Sequence, residues 1–334
     1  MWRFLLKTLI WTIPGTIACY GIWIGLLYQN PSRDTLGLYR VMPVQCNSMI
    51  FGTSRSAQGV NPAVLEQYAP HTGKWFNFSF NLAVSPWNDA YADAIIEKID
   101  CSIEQDNPST FLLFVDPWVL DGNTGQGLES WLGQQWASVC DASIIRYAFN
   151  KSNPLDALTF GSGADFLIAL SSSIPRQIIA TIRSDDSYFV NAGVQTNGWL
   201  PNRGVLTPEQ IQRAIDRKVS NYREDKVIGK IWPDEEKIHA LVRTVAHLKN
   251  FFATSQVILI RPPVSEKMLD LENEWFPDAN STFDKLAKSN DITFIDANAN
   301  WKYRNDSMFN DGHHMNIKGA TEFSRFMAES LASR

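Results

Sequence analysis

Near the C-terminus the chain reads "FNDGHHMNIKGA", which sets Asp311 and His314 in a D-x-x-H spacing ahead of Asn316 and Gly319. Two intervening loop residues let a carboxylate turn back onto an imidazole. The carboxylate then fixes the ring tautomer and supports the imidazolium that forms when the ring takes a proton. Acyl transfer also needs a nucleophilic oxygen within reach of that ring. Far upstream, "SMIFGTSRSAQGVNP" runs from an apolar stretch into Gly52, Thr53, Ser54 and Arg55. Ser54 is the candidate nucleophile, His314 its base and Asp311 the acid that orients the base. His313 fits the spacing less well. Singly, each residue has a plainer reading: Ser54 and Asp311 as turn residues, His314 as a surface histidine. Their order along the chain, with the alcohol early and the acid–imidazole pair late, favours the chemical reading.

These residues must be brought together by the elements that carry them. Five short apolar runs read as strands: Ser48–Gly52, Trp75–Phe80, Thr110–Asp116, Ser255–Arg261 and Ile292–Asp296. Three are nearly continuous in apolar residues, as strands buried on both faces should be. Helical patterns fall between or after them at 85–105, 234–254, 281–290 and 316–333. Strand–helix alternation predicts a parallel sheet with helices on both faces, and ligands in such sheets bind beyond the carboxyl ends of the strands. Gly52 to Ser56, Asp116 and Arg261 would all lie there. The stretch at about 120–234 does not alternate cleanly and reads as a mostly helical insertion, with a capping start at Thr207.

The combination resembles the SGNH, or GDSL-like, hydrolase superfamily. In that family a nucleophilic serine follows the first strand in a G-D-S block, and an Asp and a His stand as D-x-x-H before the last helix. Here the blocks read Gly52-Thr53-Ser54 and Asp311-Gly312-His313-His314. The resemblance implies a three-layer α/β/α domain over residues 46–334 with a five-stranded parallel sheet, the flavodoxin-like SGNH fold. It also implies Ser54, Asp311 and His314 as catalytic residues, with no cofactor and no metal. The chain departs from the pattern at three places. Thr53 replaces the Asp of the first block. Ser85, in "FNLAVSPW", stands near the place of the second-block glycine. Asp116, in "FVDPWVL", stands where an oxyanion-binding amide is wanted. Asn81, Ser85, the Ser54 and Arg55 backbone N–H groups or the Arg55 charge are the candidates to complete that site. These departures resemble divergent, membrane-anchored bacterial proteins that act in O-acylation of cell-surface polymers. That likeness implies an acyl donor, a surface polysaccharide acceptor and a multi-pass membrane acyltransferase as partner. A non-catalytic scaffold in a polymer-assembly complex is the rival reading.

From Thr8 to Tyr28 the chain carries no charge, and Arg3 and Lys7 precede this run. Its length suits a membrane-spanning helix, and the early cations keep its N-terminus in the cytoplasm. Residues 1–28 therefore read as an anchor and 29–45 as a tether to an extracytoplasmic domain. A cleaved signal peptide and a buried soluble helix are the alternatives. The net charge of -5 and the lack of a long basic block argue against a nucleic-acid partner. Of the four cysteines, Cys19 lies in the apolar run. Cys46, Cys101 and Cys140 permit one disulfide in an oxidising compartment, with the pairing undetermined. Trp87, Trp118, Trp131 and Trp136 read as core packing or as a sugar platform. His239 and His247, two helical turns apart, do not read as a shared metal site.

Overall fold

The structure is a computed structural model, and it describes residues 44–82, 85, 87–103, 110–123, 140, 194–224, 231–252, 254–302 and 304–332. The proposed anchor and most of the tether lie outside these residues, as do Trp131, Trp136 and much of the insertion. Among the described residues no helix is long and apolar enough to cross a membrane.

Five strands form one all-parallel sheet: β1 (Ser48–Gly52), β2 (Trp75–Ser79), β3 (Thr110–Phe114), β4 (Gln256–Arg261) and β5 (Thr293–Asp296). Their order is β2-β1-β3-β4-β5, a doubly wound arrangement that reverses direction between β1 and β3. All five positions of β1, β2 and β3 are buried, as their near-continuous apolar sequences require. Successive side chains leave opposite faces. Met49, Phe51, Phe111, Leu113 and Leu259 enter one core, while Ile50, Leu112, Phe114, Ile258 and Ile260 enter the other.

Helices cover both faces. In chain order they are α1 (Ser54–Gly59), α2 (Pro62–Tyr68), α3 (Asp89–Ser102), α4 (Pro208–Glu224), α5 (Glu235–Phe251), α6 (Glu266–Trp275), α7 (Ala279–Ser289), α8 (Ala297–Asn300) and α9 (Ile317–Ala332). The expected helices at 85–105, 234–254, 281–290 and 316–333 match α3, α5, α7 and α9. Helices α1, α2, α6 and α8 have no counterpart in the sequence reading. The capping start at Thr207 is present: the Thr207 N–H donates to Gln210 Oε1 at 2.8 Å, and the Gln210 N–H donates to Thr207 Oγ1 at 3.3 Å. Strand β3 is shorter than read from the sequence, because Asp116 leaves the ladder to cap a 3-10 turn at Pro117–Leu120. Trp87 and Trp118 are buried in the core, so the packing reading holds for these two.

Cys101, on α3, pairs with Cys140 in a disulfide, and Cys46 is free and buried. Burial pushes the Cys46 thiol up to about 12. The bridge spans a sequence separation of 39, and closing a loop of that size stabilises a fold by about 4 kcal/mol on chain-entropy grounds. Cys140→Ser, read by urea denaturation under non-reducing conditions, is expected to lose about that amount. An unchanged midpoint would show that the bridge carries no stability.

Candidate active site

Strand β1 is apolar to its last side chain and then ends in a glycine for two reasons. Gly52 has φ of +147°, a conformation closed to other residues. A Cβ there would also lie 2.5 Å from Ser56 Oγ and 2.7 Å from Phe114 Cβ. The Gly52 N–H donates to the Tyr91 phenol at 2.9 Å, and the Gly52 carbonyl accepts from Ser85 Oγ at 2.8 Å. The turn that launches α1 is thus held from α3 and from the loop after β2. Thr53 then stands in extended conformation at the N-cap, which sets Ser54 as the first residue of the helix.

The late block arrives on the other side of β1. After β5 and α8, the chain forms an antiparallel bridge between Phe309 and Met315, enclosing Asn310 to His314 in a tight loop. Gly312 has φ of +89°. Asp311 Oδ1 accepts the His314 N–H at 2.9 Å, and Asp311 Oδ2 lies 2.8 Å from His314 Nδ1. His314 Nε2 lies 2.8 Å from Ser54 Oγ. Asp311 and His314 are buried, and Ser54 is half-buried.

Charge settles which way these hydrogen bonds run. Burial opposes ionisation of Asp311, but His314 and His313 outweigh it and hold the carboxyl far below its ordinary range. An ionised carboxylate only accepts, so Nδ1 of His314 carries the proton. Nε2 then offers its lone pair to the Ser54 hydroxyl. The result is an alcohol, an imidazole and an acid in one proton path. His313 does not join it. Its Nε2 is 3.8 Å from Asp311, its ring stands perpendicular to that of His314 with centroids 4.0 Å apart, and its Nδ1 has no partner among the described residues. Burial, added to by His314, keeps His313 well below the ordinary histidine range and so neutral. Asp311, His313 and His314 offer metal-ligating atoms within 4.8 Å of one another. However, the Asp311–His314 hydrogen bond already occupies two of those atoms.

The other sequence candidates sit apart from this path. The Arg55 guanidinium is turned away into a buried cluster: Nη1 donates to Glu272 Oε1 at 2.6 Å, and Nε lies 3.6 Å from Asp116. Burial works against its charge, but Asp116 and Glu272 raise its pKa above the usual value. The Arg55 side chain is therefore committed to carboxylates rather than offered to an oxyanion. Asp116 accepts from Thr53 Oγ1 at 3.2 Å and from the Trp118 N–H at 3.1 Å, and burial raises its pKa. A carboxylate in place of Thr53 would face that of Asp116. Ser85 donates its N–H to the Asn81 carbonyl at 2.9 Å and its hydroxyl to Gly52, so it braces the turn instead of facing substrate. Asn81 is exposed at the same turn.

Sequence reading missed Glu272 and its role beside Arg55. Glu272, on α6, is fully buried and accepts from Arg55, from Trp118 Nε1 at 2.8 Å and from Arg261 Nη2 at 3.0 Å. Burial opposes its charge, yet the two arginines hold its carboxyl below the ordinary range. This cluster ties the residue after Ser54 to the ends of β3 and β4. Glu272→Gln would put an amide N–H against guanidinium donors. Breaking a buried pair in this way costs about 3–5 kcal/mol. Chemical denaturation is expected to show such a loss, and a change below about 1 kcal/mol would exclude the cluster as a support of α1.

No protein-family model matches the chain, and no curated protein matches it. Among solved structures it is similar to a phospholipase A1 from Streptomyces albidoflavus NA297, at 11% identity over 87% of this chain and 99% of that one, with a TM-score of 0.36. It is similar to an extracellular lipase from Streptomyces rimosus at 11% identity over 86% and 98% of the two chains, with a TM-score of 0.35. It is also similar to an acetyl xylan esterase from the rumen bacterium Butyrivibrio proteoclasticus, at 9% identity over 87% and 65%, with a TM-score of 0.34.

Proposed function

We propose that the chain is a serine-dependent acyl-transfer protein of SGNH type, working on esters. One observation carries this reading: His314 lies 2.8 Å from Ser54 Oγ through one ring nitrogen and 2.8 Å from Asp311 through the other. In the first half-reaction His314 Nε2 takes the Ser54 proton as Oγ bonds to the ester carbonyl carbon. The tetrahedral adduct collapses, the C–O bond to the alcohol breaks, and the alcohol leaves with the proton from His314. Water or a sugar hydroxyl then gives its proton to His314 and bonds to the acyl carbon, and as the acyl–Oγ bond breaks His314 returns that proton to Ser54 Oγ. In this reading the Ser54 backbone N–H is the main-chain donor to the developing oxyanion.

The acceptor in this proposal is a hydroxyl of a surface polysaccharide, and the domain works outside the cytoplasm from an anchor at 1–28. The uncharged run from Thr8 to Tyr28 supports the anchor. The Cys101–Cys140 bridge supports an oxidising compartment. The acyl donor would then reach the site from a multi-pass membrane acyltransferase. The lock on Asp116 and Arg55 favours the scaffold alternative, since it keeps both of these side chains from the oxyanion position. A fluorophosphonate probe applied to the full-length chain in membranes separates the two. Labelling that disappears in Ser54→Ala is expected. A wild-type chain that takes no label would leave only the scaffold.

A further inference from the structure

We propose that Tyr222, on α4, donates its hydroxyl hydrogen bond to the substrate carbonyl oxygen as negative charge develops there, filling the place that Asp116 cannot. This rests on the serine-dependent reading above and adds a residue to it. Three observations support the assignment.

The first is position. The Tyr222 ring stacks on Trp118 with centroids 4.5 Å apart and planes at 23°, and it meets the His313 ring at 5.9 Å. His313 in turn abuts His314 at 4.0 Å. Asp116 bonds Thr53, the residue before Ser54, and Asp311 bonds the His314 ring that reaches Ser54; both carboxylates act on the Tyr222 phenol. Helix α4 is held in register against α6 by Arg223, which forks onto Glu274 at 2.6 and 3.0 Å, and by Lys267 on Asp216 at 2.5 Å. Buried Ile211, Ala214 and Ile215 seat its inner face.

The second is availability. Tyr222 is half-buried, and its hydroxyl has no hydrogen-bond partner among the described residues. Burial pushes the phenol above its ordinary range, so it keeps its proton and can donate.

The third is that several rival donors among the described residues are committed. Trp118 Nε1 donates to Glu272, Trp87 Nε1 donates to the Phe114 carbonyl at 3.2 Å, Thr53 Oγ1 donates to Asp116, and Arg55 and Ser85 are engaged as described. An anionic Asp116 would repel an oxyanion, whereas a phenol O–H stabilises one.

Tyr222→Phe keeps both ring contacts and removes only the hydroxyl. In the full-length chain in detergent, with p-nitrophenyl acetate as substrate, kcat is expected to fall about 10²-fold with KM within about threefold. The melting temperature should not move. Phenylboronic acid, which forms a tetrahedral adduct on an active serine, should bind more weakly by the same factor as kcat. Wild-type kcat and boronate affinity in Tyr222→Phe, beside an inactive Ser54→Ala, would overturn the Tyr222 assignment alone. A fall in kcat without loss of boronate affinity would also overturn it, because a purely structural role acts that way. A wild-type chain that neither turns over ester nor takes a fluorophosphonate overturns the serine reading, and this inference with it.

Discussion

Ser54→Ala is expected to lower kcat for ester hydrolysis by about 10⁶-fold, with the melting temperature unchanged. The size follows from how such sites work: alcohol, base and acid act as a unit, so removing the nucleophile costs about as much as removing all three. Little structural change should accompany it. Ser54 is half-buried, its hydroxyl reaches His314, and the turn around it is held by Gly52, Tyr91, Ser85 and Asp116 rather than by its own side chain. The measurement is steady-state turnover of p-nitrophenyl acetate by wild type and variant, purified alike. A loss of less than tenfold would mean that the Ser54 hydroxyl is not the attacking oxygen.

Asp311→Asn should produce the next largest loss, about 10⁴-fold in kcat, because an amide can donate to His314 Nδ1 and so favours the wrong tautomer. With the proton moved to Nε2, the ring can no longer accept from Ser54. This variant also carries a pH signature. The folded pKa of Asp311 is depressed below its reference value of 3.8. Its contribution to stability is therefore fully present above about pH 4 and is withdrawn as pH falls toward the folded pKa. The melting-temperature gap between wild type and Asp311→Asn should be widest near neutrality and close as the solution is acidified below about pH 4. A gap that widens on acidification would contradict an ionised Asp311, and with it the direction of the proton path.

Much of the frame could be read directly from residue order. Apolar runs with no room for an exposed face mark β1 and β3 as central strands. The Thr207 capping start marks the beginning of α4. Helix α1 was missed because its six residues, "SRSAQG", carry no apolar period. It is helical because Gly52 turns the chain and the packed neighbours hold it. Helix α6 was missed because "EKMLDLENEW" is short and largely polar, and its buried acid faces arginines instead of an apolar core. The same blindness touched the site. Arg55 is a candidate oxyanion partner in the sequence, yet its guanidinium closes ion pairs with Asp116 and with Glu272, the latter 217 residues away, and Asp116 caps the turn after β3 rather than facing substrate. Ser85 was placed near an oxyanion, yet both of its donors serve backbone carbonyls.

By itself, the sequence determined which side chains could do chemistry and in what order they come: an alcohol after a buried strand, then an acid and an imidazole three residues apart on a late loop. Local spacing suffices for that last pair, since a short turn brings a carboxylate to its neighbour's ring whatever the rest of the chain does. Only the tertiary structure decided that Ser54 and His314, separated by 260 residues, meet at 2.8 Å. It also decided which polar groups face each other behind them. Such distances are set by how sheet and helices pack, and packing depends on the sum of many buried contacts from distant segments, none of which leaves a mark in the local pattern of residues.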